Sequence, residues 1–140
     1  MVEMPEGAVV SRTLVIPSTP PSKNVYDAWD PRWKSSYVKK KKAMLVAQIN
    51  EQNWPLARRV VVHARLIFGS RRRHDWQNYT HPLWHYVADA LVDAGIIIDD
   101  TPEYFSVGPD GGIEFDCDLR PFVPVKKRNR TVIGCAIELR

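Results

Sequence analysis

Long apolar runs are missing from this chain of 140 residues. No stretch approaches the roughly 20 consecutive apolar residues that cross a bilayer. The N-terminal MVEMPEGAVV lacks the basic-then-apolar layout of a secretory signal. Cysteine is scarce too: Cys117 and Cys135 are the full complement, with neither metal-ligand spacing nor the density of a disulfide framework. Both fall in strand-like segments and read as small buried hydrophobes. There is no internal repeat, low-complexity tract or second-domain linker. These absences predict a reduced, cytoplasmic protein with no membrane partner and no organic cofactor. Met1 to Val10 reads as a flexible leader, and residues 11–140 as one domain of ordinary globular composition.

The charge that is present is unevenly placed. Lys and Arg number 20 against 16 acids, a net charge of +4. The cations gather at Lys39, Lys40, Lys41 and Lys42, at Arg71, Arg72 and Arg73, and at Lys126, Lys127, Arg128 and Arg130. Each cluster alone is compatible with a solvated face. Brought together by the fold, they would form a phosphate-binding surface, and nucleic acid is the partner they favour.

Hydrophobic periodicity predicts a small α+β domain, a mixed β-sheet packed with two main helices. RTLVI (12–16) suits a strand, and PSTPPSKN fixes an extended path with a turn at Asn24. Asp30 and Pro31 supply an N-cap and first residue for a helix running to about Gln52, with one face open to solvent around Lys39–Lys42. ARRVVVHARLIF alternates: Val60, Val62, Ala64, Leu66 and Phe68 on one face, and Val61, His63, Arg65 and Ile67 on the other. That is a half-buried strand, with His63 on its exposed face. Leu83, Tyr86, Val87, Ala90, Leu91 and Ala94 follow helical spacing, and Gly95 stops the helix. IIIDD then enters a short strand or extended segment. GPDGG makes a turn, IEFDCDL and TVIGCAIEL are strands, and VPVKKRNR between them reads as an exposed basic loop.

The chemistry sits in SRRRHDWQNYTHPLWHYVADALVDAGIIIDD, residues 70–100. Asp75 precedes the second helix, and Asp99 and Asp100 follow it. The ends of a helix lie apart at about 1.5 Å per residue. The two acidic positions therefore approach only if the flanking segments fold back as neighbouring strands. Carboxylates gathered beside arginines suit Mg²⁺, which takes oxygen ligands and keeps several waters and can activate a water against a phosphodiester. The plainer alternative is loop carboxylates that only cap or solvate. A separate alternative places zinc on His81 and His85, four apart on one helix face with Asp89 a turn further, as in a zinc-stabilised adaptor.

The same stretch resembles the RusA family of Holliday junction resolvases. RRRHDWQN, ADALVDAG and IIIDD stand in the family's order, and PPSKN (20–24) matches its early Pro-Pro-Ser-x-Asn element. The resemblance covers about Val15 to Tyr104. It implies a small α+β homodimer that nicks four-way DNA junctions symmetrically with Mg²⁺ (Mn²⁺ as substitute), in a prokaryotic or phage-infected cell. Asp75 matches the first motif aspartate, Asp100 the essential late one, and Asn78 the motif asparagine. Gln77 stands where the family has a second aspartate, and His85 falls at the position of its helix lysine. The implied metal set is Asp75, Asp100, Gln77 and Asp99, with Glu103 as a further compensating acid. His85 joins Asp75 and Asp100 in the catalytic group. Lys23, Lys39–Lys42 and Arg71–Arg73 hold DNA phosphates. Trp29, Trp33, Trp76 and Tyr79 are candidate wedges at the crossover, although core or interface packing also accounts for them. The loss of the second aspartate leaves an alternative function open, a junction-binding protein with weakened or lost chemistry.

Overall fold

The alternating segment ARRVVVHARLIF forms β2 (Ala57–Phe68), the strand around which the rest is arranged. The computed structural model describes residues 8–71 and 74–140. In chain order it runs β1 (Val9–Ile16), α1 (Lys23–Asp27), α2 (Pro31–Glu51), β2, α3 (Leu83–Asp93), β3 (Phe105–Val107), β4 (Ile113–Cys117), α4 (Val125–Arg128) and β5 (Arg130–Leu139). Short 3-10 turns lie at Trp76–Asn78 and Asp110–Gly112. This is the expected α+β class: a mixed five-stranded sheet with two main helices, α2 and α3.

β5 pairs antiparallel with β2 on one side and with β1 on the other. On its opposite edge β2 takes two short parallel strands in succession. β3 lies beside Val60–Val62 and β4 beside Ala64–Phe68. The turn at Asp110–Gly112 bridges the gap between them. β2, α3 and β3 thus make a strand–helix–parallel-strand unit, but this crossover does not bring the acidic positions together. Asp75 follows the C-terminal end of β2, whereas Asp99 and Asp100 lie between Ile96 and Tyr104, which bond to Ala57 and Val60 at its N-terminal end.

Strand alternation divides the sheet. Val60, Val62, Ala64 and Leu66 are buried, whereas Arg58, His63 and Arg65 are exposed. The buried side meets Leu45 and Ile49 of α2 and Leu83, Tyr86, Val87, Ala90 and Leu91 of α3 in one core. Full burial of an aliphatic side chain contributes roughly 1.5–3 kcal/mol, so this interface carries much of the stability. As expected, α2 buries only a narrow stripe. Asp30 caps it, accepting from the Arg32 amide at 2.8 Å. Lys42 ties it to α3 through Asp93 at 2.9 Å.

The sheet edge at β1 is not left open. Gln48 of α2 pairs with both backbone groups of Val15 (2.9 and 2.7 Å), and Gln52 donates to the Thr13 carbonyl at 2.9 Å. Side-chain amides occupy groups that would otherwise recruit another strand.

Several local expectations need correction. β1 begins at Val9, so the strand takes in the last two residues assigned to the leader; Met1–Gly7 lie outside the described residues. Part of the extended PPSKN path is instead the short helix α1, whose Tyr26 is buried. IIIDD is irregular chain, and the next strand starts only at Phe105. VPVKKRNR contains the helical turn α4. Cys135 is buried, with its thiol pushed up to about 12 by desolvation. Cys117 is exposed, and its neighbour Asp118 turns inward instead. No helix among the described residues is long and apolar enough to cross a membrane.

Candidate active site

The residues DWQN form a capped 3-10 turn. Asp75 is extended, and its Oδ1 accepts from the Gln77 amide at 3.0 Å. A short polar side chain one residue before a helical turn satisfies an otherwise orphaned N–H. His74 fixes the approach to this turn. Its ring stacks on Phe68 at 4.0 Å and lies against Phe115, and its Nδ1 is 3.1 Å from the Tyr79 hydroxyl. With His74 and Tyr79 turned inward, Asp75, Gln77 and Asn78 are left exposed.

Trp76 faces inward against Gly111, whose φ is +62°. The Gly111 carbonyl also accepts from Trp84 Nε1 at 2.6 Å. The two indoles therefore hold the Asp75 turn and the start of α3 against the bridge between β3 and β4. Trp76 and Tyr79 are packing residues in this arrangement. Trp29 packs edge-on to Tyr37, while Trp33 is 70% exposed.

Asp99 and Asp100 follow α3 in exposed irregular chain, where Asp99 Oδ1 accepts from the Asp100 amide at 2.8 Å. Glu103 is exposed nearby in sequence. Asp75 and Asp99 are thus each held by a local turn. Among the described residues no group of three His, Cys, Asp or Glu side chains is placed to hold a metal ion. The β2–α3–β3 unit carries all the expected acids, but within one chain it does not close them into a three-ligand cage.

His85 is half-exposed on α3, with Nε2 3.6 Å from Asp89 Oδ2. His81 lies 6.0 Å from it, centroid to centroid, and edge-on to Tyr26. Burial, and then the neighbouring His85, push the His81 pKa down. A protonated imidazole is disfavoured there. The zinc alternative would need this pair plus a third ligand, and none is in place among the described residues.

The expected phosphate contacts divide into two groups. Lys23, Lys39, Lys40 and Arg71 are exposed. Lys41 instead donates to Ser18 at 3.0 Å and lies over Tyr37, and Lys42 pairs with Asp93. Arg72 and Arg73 lie outside the described residues.

Sequence reasoning missed the clamp at the exit of β2, ahead of Arg71. Asp118 is buried and receives Arg120 through both Nε and Nη2, the shortest bond being 2.7 Å, and Arg130 at 2.9 Å. Arg128 donates to the Gly69 carbonyl at 2.9 Å, and Asn129 accepts from the Gly69 amide at 2.6 Å. The Asp118 amide reaches the Phe68 carbonyl at 2.8 Å. The exit from β2, which leads directly to Arg71, is therefore held from the β4–β5 connection. The Arg120 hydrogen bonds, then those of Arg130, hold the Asp118 carboxyl well below the usual carboxylate range. A folded-state pKa below the unfolded one contributes stability that is present above about pH 4 and lost as pH falls through the folded value. Asp118→Asn is accordingly expected to melt at lower temperature at pH 7 and to show a shallower loss of stability on acidification. Thermal melts from pH 7 to pH 2 check both; a wild-type pH profile in the variant would remove Asp118 from this role.

No family model matches the chain, and no curated protein matches it. Among solved structures it is similar to the periplasmic domain of Helicobacter pylori MotB (residues 90–256), at 18% identity over 90% of this chain and 74% of that one. The TM-score is 0.34, and a likeness of that degree carries no argument about fold or function.

Proposed function

We propose that this protein is a Mg²⁺-dependent structure-specific endodeoxyribonuclease acting on four-way DNA junctions as a homodimer, as the RusA resemblance implies. The observation that carries the reading is the surface of the β2–α3–β3 unit. An exposed Asp75 sits in a rigid turn before α3, and exposed Asp99 and Asp100 follow its end. Arg71–Arg73 precede the first acid in sequence. The donors are carboxylates and the Gln77 amide oxygen, all hard oxygen ligands of the kind Mg²⁺ accepts together with water and substrate phosphate. When bound, the ion would polarise the phosphodiester and acidify an attacking water.

The residues themselves would divide the work. Asp75 and Asp100 would carry the negative charge that binds the ion, with Asp99 beside them. Gln77 would offer only a neutral oxygen. Exposed Lys23, Lys39, Lys40 and Arg71 would hold flanking phosphates in a sequence-blind, salt-sensitive way. His85 would face the phosphate as a hydrogen-bond donor that is charged only when protonated. A two-fold dimer would present paired sites to a two-fold junction.

The neutral Gln77 and the absence of a three-acid group among the described residues favour a second reading, in which junction binding survives with weakened chemistry. Incubating an end-labelled four-way junction with the protein, with and without Mg²⁺ and beside a linear duplex, separates the two. Paired symmetric nicks only with metal support the nuclease. Selective binding without nicks, in Mn²⁺ as well, supports the binder. Nicking of duplex and junction alike removes both.

Gln77→Asp tests the site under either reading. At about 4 Å and an effective dielectric near 20, a unit-charge pair is worth on the order of 4 kcal/mol. Residue 77 is exposed, so solvent and salt reduce that, and Mg²⁺ affinity is expected to rise by roughly ten- to a hundredfold. Isothermal titration calorimetry measures it, and unchanged affinity would place residue 77 outside the metal shell.

A further inference from the structure

The connection between β4 and β5 carries a side chain that the fold does not use. Phe122 is fully exposed, at 103% of its reference area, and its φ is +66°. Asn53 and Asp110, the other non-glycine residues with positive φ among those described, are of types that tolerate this region. For a bulky aromatic it is an outlier that the surrounding chain must enforce. Pro121 and Pro124 bracket the tip and fix φ on either side of the Phe122–Val123 pair. The base of the excursion is anchored by the Asp118 bonds to Arg120 and Arg130 and by the Arg128 and Asn129 contacts to Gly69. The ring is thus presented on a stiff support, which limits the entropy lost when it is buried against a partner.

The surroundings indicate the kind of partner. Between Leu119 and Lys127 there is no acid; Arg120 is paired with Asp118, and Lys126 and Lys127 are exposed. Leu119 and Val125 add exposed apolar surface beside the ring. A second copy docked here about a two-fold axis would bring like charges together, which is unfavourable. A polyanion with flat apolar faces fits both features. Nucleic acid supplies phosphates to the cations and bases to the ring. The excursion is also bonded to Phe68 and Gly69, a few residues before Arg71 and Asp75. It therefore rises from the same end of β2 as Arg71 and Asp75, the end opposite Asp99 and Asp100.

We infer that Phe122 is a wedge that inserts between bases at a branched or weakly stacked DNA step, with Lys126 and Lys127 gripping the phosphates around it. The assignment rests on the reading of this protein as a binder of branched DNA. Apolar side chains that enter a base step unstack and kink the duplex there. The cost is lowest where stacking is already interrupted, so the wedge adds preference for a crossover over continuous duplex.

The test uses the full chain and two DNAs carrying 2-aminopurine, one at the crossover of a four-way junction and one beside the nick of a nicked duplex. Unstacking of the probe raises its fluorescence. Saturating wild-type protein is expected to raise it at least about twofold at the crossover. Phe122→Ala is expected to abolish the rise and weaken junction binding about tenfold, equivalent to about 1.4 kcal/mol, with intact-duplex affinity nearly unchanged. Phe122→Trp should retain the rise. A Phe122-dependent rise at the nick without preference for the junction would uphold the wedge and overturn the junction reading. Saturable binding with no rise, or a rise that persists in Phe122→Ala, would overturn the wedge and leave the junction reading to be judged by affinity alone. Saturable binding of neither DNA would overturn both.

Discussion

Asp75→Asn and Asp100→Asn are each expected to abolish Mg²⁺-dependent scission of a four-way junction while leaving the junction bound. Asparagine keeps the shape of aspartate and removes its charge. At position 75 it also keeps the oxygen that caps the 3-10 turn, since the Gln77 amide bonds to Asp75 Oδ1 and asparagine caps about as well as aspartate. The turn should survive and the metal ligand should not. Loss of a metal ion's charge stabilisation, worth several kcal/mol, corresponds at about 1.4 kcal/mol per decade to two to four orders of magnitude in rate. Asp75→Ala is a useful contrast, because it removes the cap as well and adds a stability loss of about 1 kcal/mol. Cleavage of end-labelled junctions gives the rate, and fluorescence anisotropy in the same buffer gives the affinity. Cleavage at wild-type rate in either asparagine variant would exclude that aspartate from the site. Loss of binding in step with cleavage would mean that the aspartate supports the fold rather than the metal.

The elements legible in the sequence were those with a strong periodic signal. β2 alternates from Val60 to Leu66, with a register shift at Ala57/Arg59 and with Ile67 buried where alternation had placed it on the open face. α3 has a continuous apolar stripe, and α2 opens on an Asp–Pro pair that caps as expected. β3 had no such signal. Its three residues are a strand because they pair with Val60–Val62, a long-range contact that its own sequence does not announce. α1 was hidden by the prolines before it, which set its entry path without forbidding a helical turn after them. The inversion at Cys117 and Asp118 is more instructive. Alternation in IEFDCDL placed the cysteine inward, yet the carboxylate is buried because Arg120 and Arg130, the latter twelve residues away, neutralise it. The candidate site divides in the same way. That Asp75 caps a turn and stands exposed follows from local chemistry. Whether distant acids converge is a property of tertiary geometry, and spacing along the chain could only state the condition for it. Phe122 carried no reading in the sequence, because neither exposure nor a positive φ is encoded in RPFVP itself.

Gly111→Ala is expected to damage stability and activity together, for a reason separable from the usual cost of replacing a glycine. At φ +62° an added Cβ pays the left-handed penalty of about 1–2 kcal/mol. It would also stand 2.6 Å from Trp76 Cε3 and 2.7 Å from Thr80 Cγ2, inside van der Waals contact. Overpacking of this kind typically adds about 1–3 kcal/mol. For a chain of this size the sum lowers Tm by on the order of 10 °C. Trp76 belongs to the turn that Asp75 caps, so relief of the clash moves the turn and with it the exposed carboxylate. Gly95→Ala provides the comparison. Gly95 has a φ of +75°, but nothing lies within 4 Å of its would-be Cβ, so that variant pays only the conformational term and keeps its cleavage rate. Thermal melts, tryptophan emission and junction cleavage on the two variants separate backbone strain from packing. A shifted Trp76 environment with lost cleavage in Gly111→Ala alone would establish that the bridge between β3 and β4 positions the Asp75 turn. Equal behaviour of the two variants would mean that the turn holds its place without Gly111.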